Sequence, residues 1–130
     1  NLARADFSAA TLRRAELSEA QLHFVDLNHA DLSRADLSRA SLRGANLSGA
    51  DLSGVNLTGA DLTDANLRGA DLRKARLQRA NLTGADLTDA DLSTARLKGA
   101  RMVNVTLDGA RLPGQVSQPV DHDPRQALLF

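Results

Sequence analysis

A five-residue phrase repeats without interruption from Asn1 to Gly114, and it leaves the chain few ways to fold. Its clearest passage, ANLSG-ADLSG-VNLTG-ADLTD-ANLRG-ADLRK, runs from Ala45 to Lys74. The first position of the phrase is small and apolar, the second is Asp or Asn, the third is Leu, the fourth is often Ser or Thr, and the fifth varies. The third position occurs 23 times, from Leu2 to Leu112, and is Leu at all but Phe7 and Met102. From Ala5 to Ala110 the first position is Ala 19 times and Val three times, at Val25, Val55 and Val105.

The period decides between elements. On an α-helix at about 100° per residue, five residues turn about 140° past a full circle, so the Leu residues would be smeared around the axis. On a flat strand, residues three apart point to opposite faces, which would separate Ala from Leu. The alternating spacing of three and two suits a chain that bends between repeats and brings both apolar residues to one interior. Such coils pair backbone to backbone at about 4.8 Å, and a repeat that cannot bury its apolar face alone must stack on its neighbours. With only three Phe and no Trp or Tyr, that interior must be Leu and Ala. The period alone leaves the number of repeats per coil open.

The A-(D/N)-L-x-x phrase resembles that of the pentapeptide-repeat proteins, and the likeness covers residues 1–114. It implies an all-β fold, a right-handed quadrilateral parallel β-helix with four repeats, or about 20 residues, per coil. Leu and the preceding Ala or Val then point inward and the other three positions outward. Twenty-three repeats give between five and six coils, a rod roughly 27 Å long. Glycines at the fifth position, such as Gly44, Gly49, Gly54 and Gly59, fit the third residue of type II turns, where φ is positive. They form no phosphate loop, since no GxxxxGK[ST] and no following helix accompany them.

Rows of 20 make the faces readable. The face of Phe7 and Leu27 is acidic, with Asp6, Asp26, Asp86, Asp89 and Asp108 against Arg68. The face of Leu12 and Leu32 stacks Asp31, Asp51, Asp71 and Asp91 among Arg13, Arg14, Arg34, Arg73, Lys74 and Arg111. The face of Leu17 and Leu37 changes sign along its length, from Glu16, Glu19 and Asp36 to Arg76, Arg79, Arg96 and Lys98. The remaining face is sparse, with Arg4, Arg43, Asp61, Asp64 and Arg101. A straight Asp column offers too few oxygens per site for a hard cation, and local Asp-to-backbone bonds at the bends account for it better. Hydroxyls at 11 of the 23 fourth positions read as a solvated ladder. Candidate partner contacts are Arg76, Arg79, Arg96 and Lys98, the acidic Asp86, Asp89 and Asp108, and the pattern-breaking cluster His23, Phe24 and His29. Two His without a third ligand at suitable spacing make no metal site, and no nucleophile, base and acid converge in the pattern. Neither metal nor cofactor is expected.

The phrase ends at Leu112-Pro113-Gly114, where Pro113 cannot donate to a ladder. Residues 115–130 read as a polar connector followed by a helix starting at Asp123-Pro124. That helix is too short to stand alone, so Leu128, Leu129 and Phe130 should dock, either capping their own coil stack or joining a second copy as a homodimer. End-to-end stacking of rods is the other route to self-association. The opening Asn1-Leu2 lies inside a repeat without an initiator Met, as in a processed product or a fragment.

Sixteen basic and sixteen acidic residues cancel. That balance, with no aromatics interleaved among the basic residues, argues against direct nucleic-acid binding. No apolar run is long enough to span a bilayer. Absence of Cys suits a reducing compartment, and a cytoplasmic location is expected. The chain is read as a rigid, non-enzymatic scaffold or protein-interaction module. The resemblance offers an alternative, a DNA-mimicking inhibitor or protector of DNA gyrase. Against it stand the zero net charge, the single acidic face, the lack of loop insertions, and a rod only about eight base pairs long at 3.4 Å each.

Overall fold

The structure, a computed structural model, describes residues 1–114. The tail expected to start a helix at Asp123, with Leu128, Leu129 and Phe130 docking, lies outside the described residues. Within them the chain turns once every five residues and never forms an extended strand or a helix. Second-position residues pair in parallel register with residues 20 further on, from Asp6 with Asp26 to Asp91 with Arg111. Each 20-residue coil therefore carries four turns, and the coils stack as a parallel β-helix.

The backbone accounting explains why one phrase suffices. Take the repeat Ala50 to Gly54. Leu52 N–H donates to Asp71 O at 2.8 Å, Gly54 N–H to Arg73 O at 2.9 Å, and Ala50 O accepts from Asp71 N–H at 3.0 Å; all three bonds join neighbouring coils. The turn is closed by Val55 N–H to Leu52 O at 3.1 Å. The one remaining donor, the N–H of Ser53, is met by Asp51 Oδ1 at 3.0 Å. Asp or Asn at the second position is thus the acceptor that completes the repeat, because a side chain at that spacing reaches the amide two residues on. The same bond recurs at Asp26, Asp36, Asn46, Asn66 and Asn81. The hydroxyls are more than a solvated ladder. Ser33, Ser38, Ser53 and Thr63 each donate to the preceding Asp Oδ1 at 2.6–2.7 Å.

The turns are of the expected hand. Thirteen non-glycine residues and nine glycines, all at the fifth position, have φ between 57° and 77°. With the residue before them at negative φ, this is the type II pattern. A Cβ in left-handed backbone costs about 1–2 kcal/mol, so the non-glycine corners are held by the ladder on both sides. Four of the glycines also make room. A Cβ at Gly44 would overlap the ring of Phe24, one at Gly49 the ring of His29, and ones at Gly84 and Gly109 the carboxylates of Asp64 and Asp89. A bulky corner side chain leans toward the next coil, and the glycine 20 residues later accepts it.

From Leu22 to Leu112 the Leu side chains and Met102 are buried in one continuous core with the first-position Ala and Val, of which Ala100 and Val105 are only partly buried. The first coil is more open: Phe7, Leu12 and Leu17 are half-buried and Leu2 is 38% exposed. A solenoid's outermost coil has a neighbour on one side only.

Candidate partner-binding surface

The interior is filled, so any site is built from outward residues. The four faces differ in how their charges are satisfied. On the face of Leu32 to Leu112, Asp31, Asp71 and Asp91 lie beside Arg13 and Arg73; Arg73 holds Asp71 at 2.6 Å and reaches Asp91 at 4.0 Å. Hydrogen bonds from the hydroxyl and then the backbone of Ser33 and Ser93 hold the carboxyls of Asp31 and Asp91 below the usual range. The Asp column is therefore occupied by its own chain, and no group of metal-ligating residues occurs among the described residues.

The acidic face is less free than its composition suggests. Asp86 accepts from the Thr88 hydroxyl and pairs with Arg68 at 3.2 Å; the Thr88 bond is the main cause of its lowered pKa. The Asp89 carboxylate leans over Gly109. Asp108 is exposed, and its carbonyl accepts from Asp89 N–H at 2.9 Å. The row Asp6, Asp26, Asn46, Asn66, Asp86 is interrupted by two neutral residues at its centre.

The cluster around Phe24 is coherent but partly self-contained. Phe24 is a corner residue with φ 57° and is 52% exposed. Arg4 sits 4.8 Å from its ring centroid, His23 meets it edge-on at 6.1 Å, and the ring covers Gly44. His29 lies at the next corner along the chain, over Gly49, and is apart from this cluster in the ring contacts.

The strip of late cations differs from the rest. Arg76 and Arg96 occupy second positions, where the repeat ordinarily holds Asp or Asn, and they pair directly across adjacent coils. Neither makes an ion pair among the described residues. Their backbones stand at the strand spacing of about 4.8 Å, and like charges held at such a spacing repel by roughly 1 kcal/mol even at the dielectric of water. Replacing Asx by Arg also removes the acceptor for the amide two residues on, so the N–H groups of Gln78 and Lys98 have no partner among the described residues. Gln78 Oε1 is buried and equally without a partner there.

These residues border an open groove of about 600 Å³, lined by Arg34, Asp36, Lys74, Arg76, Thr94 and Arg96 with Ala35, Gly54 and Asn56. A neighbouring depression of about 330 Å³, lined by Gln78, Ala95, Arg96, Leu97 and Lys98, shares Arg96 with it. Of the four basic residues expected from the sequence, Arg76 and Arg96 line the groove and Lys98 the depression. Arg79 lines neither, and its side chain lies along Gly99 instead. Sequence reasoning missed Arg34 and Lys74, which were assigned to the Asp column because they follow that face in the chain. They sit at the corner between the two faces, and the fifth-position register was the signal available.

Comparisons with known proteins agree with this architecture. A family model described as pentapeptide repeats matches residues 1–39, 40–79 and 75–114. The chain is similar to a pentapeptide repeat protein from the Arabidopsis thaliana thylakoid lumen, with 33% identity over 75% of this chain and 68% of that one and a TM-score of 0.73. It is also similar to one from Nostoc PCC 7120, with 46% identity over 84% of this chain and 85% of that one and a TM-score of 0.57. A third, from the cyanobacterium Cyanothece 51142, is 36% identical over 76% of this chain and 60% of its own, with a TM-score of 0.56. A search of curated protein sequences returned no match. Among the described residues no helix is long and apolar enough to cross a membrane. Repeat phrase, 20-residue register and solved relatives converge: this chain belongs to the pentapeptide-repeat family, whose members are right-handed parallel β-helices.

Proposed function

We propose that the chain is a non-enzymatic, rigid module for protein–protein contact, a four-cornered rod that meets an acidic partner through the strip of Arg76, Arg96 and Lys98. One observation carries this reading: Arg76 and Arg96 are stacked like charges without a carboxylate, whereas the acidic column one face away is held by ion pairs and hydrogen bonds within its own chain. An acidic partner relieves that repulsion, and electrostatic complementarity of this kind sets specificity and association rate. The closed interior supports contact rather than turnover, because reacting groups would have to converge on a wall without a deep pocket. Phe24 with Arg4 and His23 is a secondary contact.

A pull-down from the host extract with the full chain and with a double Arg76→Gln, Arg96→Gln variant tests this. Partners should be lost from the variant. Retention of the same partners at the same yield would show that the surface is wrongly chosen. A DNA gyrase supercoiling assay covers the alternative partner, which the interrupted, partly paired acidic face supports only weakly. Self-association through Leu128, Leu129 and Phe130 is checked by light scattering on the full chain and on a chain ending at Gly114; equal masses per protomer exclude a tail-mediated dimer.

A further inference from the structure

One corner of the coil stack departs from the other 22, and it lies beside the densest unpaired positive charge. Thr94 is the fifth-position residue without positive φ. A β-branched side chain is strained in left-handed backbone, so this corner turns without a positive φ at its fifth position. The bond between coils moves with it. From Arg4 to Asp89 the fifth-position N–H otherwise donates to a backbone carbonyl of the next coil, as Arg79 N–H does to Lys98 O at 3.0 Å. Here Lys74 N–H donates to Thr94 Oγ1 at 2.9 Å. The hydroxyl accepts one bond and keeps its own proton to donate.

The groove beside this corner is lined almost wholly by donors. Arg34, Lys74, Arg76 and Arg96 bring four positive charges without an ion pair among the described residues. Asn56 Oδ1 accepts from Thr58 N–H at 3.1 Å, which leaves the Asn56 amide nitrogen to donate. The one carboxylate in the lining, Asp36, already accepts from the Ser38 amide and hydroxyl. Gly54 keeps the floor open where a side chain would otherwise stand against Arg34.

We propose that this groove binds the phosphate group of a phosphorylated, extended peptide segment. The proposal rests on the acidic-partner reading and names the partner's chemistry. Four cations around one groove exceed what a single carboxylate neutralises. A phosphate ester brings close to two negative charges and three acceptor oxygens, and guanidinium groups match it as planar forks. The groove crosses four coils, about 14 Å, which four or five extended residues span. No aromatic ring lines it to stack a nucleotide base. The charge is a local pocket, suited to one modified side chain.

The test is fluorescence anisotropy of the full chain with three labelled probes: a phosphoserine pentapeptide flanked by Ala and Gly, the same peptide with Glu for phosphoserine, and an oligothymidylate of ten nucleotides. The phosphopeptide should bind at least about tenfold tighter than the Glu peptide, as expected from doubled charge and extra acceptors. The double variant Arg76→Gln, Arg96→Gln, and separately Lys74→Gln, should each lose at least about tenfold. Arg43→Gln, on another face, should change nothing, and circular dichroism melts establish that all variants are folded. Equal binding of phosphopeptide and Glu peptide, both lost in the double variant, overturns the phosphate assignment and leaves the acidic-partner reading standing. Failure of both peptides to bind overturns both. Tighter binding of the oligothymidylate than of either peptide overturns the choice of a peptide ligand.

Discussion

The fit between a bulky corner and the glycine 20 residues later can be measured as a coupling energy. Gly44 and Gly69 have nearly the same backbone, with φ 63° and 65°. A Cβ at Gly69 would meet nothing within 4 Å, whereas one at Gly44 would overlap Phe24 Cε1 and stand 2.6 Å from Cδ1. Gly69→Ala therefore reports backbone strain alone, about 1–2 kcal/mol. Gly44→Ala carries the same strain and must also displace the Phe24 ring. That displacement gives up the Arg4 contact, worth about 0.5–1 kcal/mol at an exposed site, and pushes the ring off its rotamer at about 0.5–1.5 kcal/mol. Gly44→Ala should thus cost about 1–2.5 kcal/mol more than Gly69→Ala. In a double-mutant cycle with Phe24→Ala that excess should vanish, a coupling of about 1–2.5 kcal/mol, well above the usual scatter of about 0.3–0.5 kcal/mol for independent sites. With no Trp or Tyr in the chain, urea denaturation is followed by far-ultraviolet circular dichroism. Equal costs for the two glycine variants, or zero coupling to Phe24, would show that the ring is free to move and that nothing pre-positions it for a partner.

Leu57→Ala, at a fully buried central position, should cost about 2–5 kcal/mol, while Leu2→Ala at the open first coil should cost below about 1 kcal/mol; the same urea titrations decide it, and equal costs would contradict a core that opens at that end. Thr94→Val keeps the β-branch but strands Lys74 N–H, so it should destabilise by about 1 kcal/mol and speed amide exchange at Lys74, with Thr94→Ser restoring protection; unchanged exchange would remove the hydroxyl from that role. Folding lowers the carboxyl pKa values of Asp31, Asp36 and Asp86 below 3.8. The unfolded chain therefore takes up those protons first. Their stabilisation is complete above about pH 4 and is lost as pH falls through the folded-state values below it. Urea midpoints should be level between pH 7 and 5 and fall by pH 3, and a midpoint that rose on acidification would refute this assignment.

The interior was legible from the sequence because the repeat admits no exception there. Ala at the first position and Leu at the third must share one inside, and both are buried from Leu22 to Leu97. Asp and Asn at the second position were legible too, since only an acceptor of that reach satisfies the fourth-position amide. The 20-residue register came from family likeness, because a period of five fixes the bend and not the closure. The site was legible in part. Arg76 and Arg96 stand out as cations where the phrase calls for Asx. Arg34 and Lys74 were hidden because a face-by-face reading splits the corner that joins them to Arg76 and Arg96. The Thr94 corner was hidden because a hydroxyl residue looks ordinary in a polar column. Its meaning depends on knowing that its neighbours in that column adopt left-handed backbone. Arg79 lies outside the groove for the converse reason: its side chain runs along its column neighbour Gly99.

The 20-residue register also makes the surface sensitive to length in a way the core is not. Removing one pentapeptide between Arg76 and Arg96 would leave an intact phrase on both sides, and Leu would still fall inside and Asx at the bends. Everything downstream, however, would rotate to the adjacent face. Arg96 would no longer stand over Arg76, and Thr94 would leave the corner of Arg34 and Lys74. Removing four pentapeptides would shorten the rod by one coil and restore every column. The chain thus carries two reading frames at once. A frame of five governs whether it folds, and a frame of 20 governs what its surface presents. Insertions and deletions harmless to the first can erase the second.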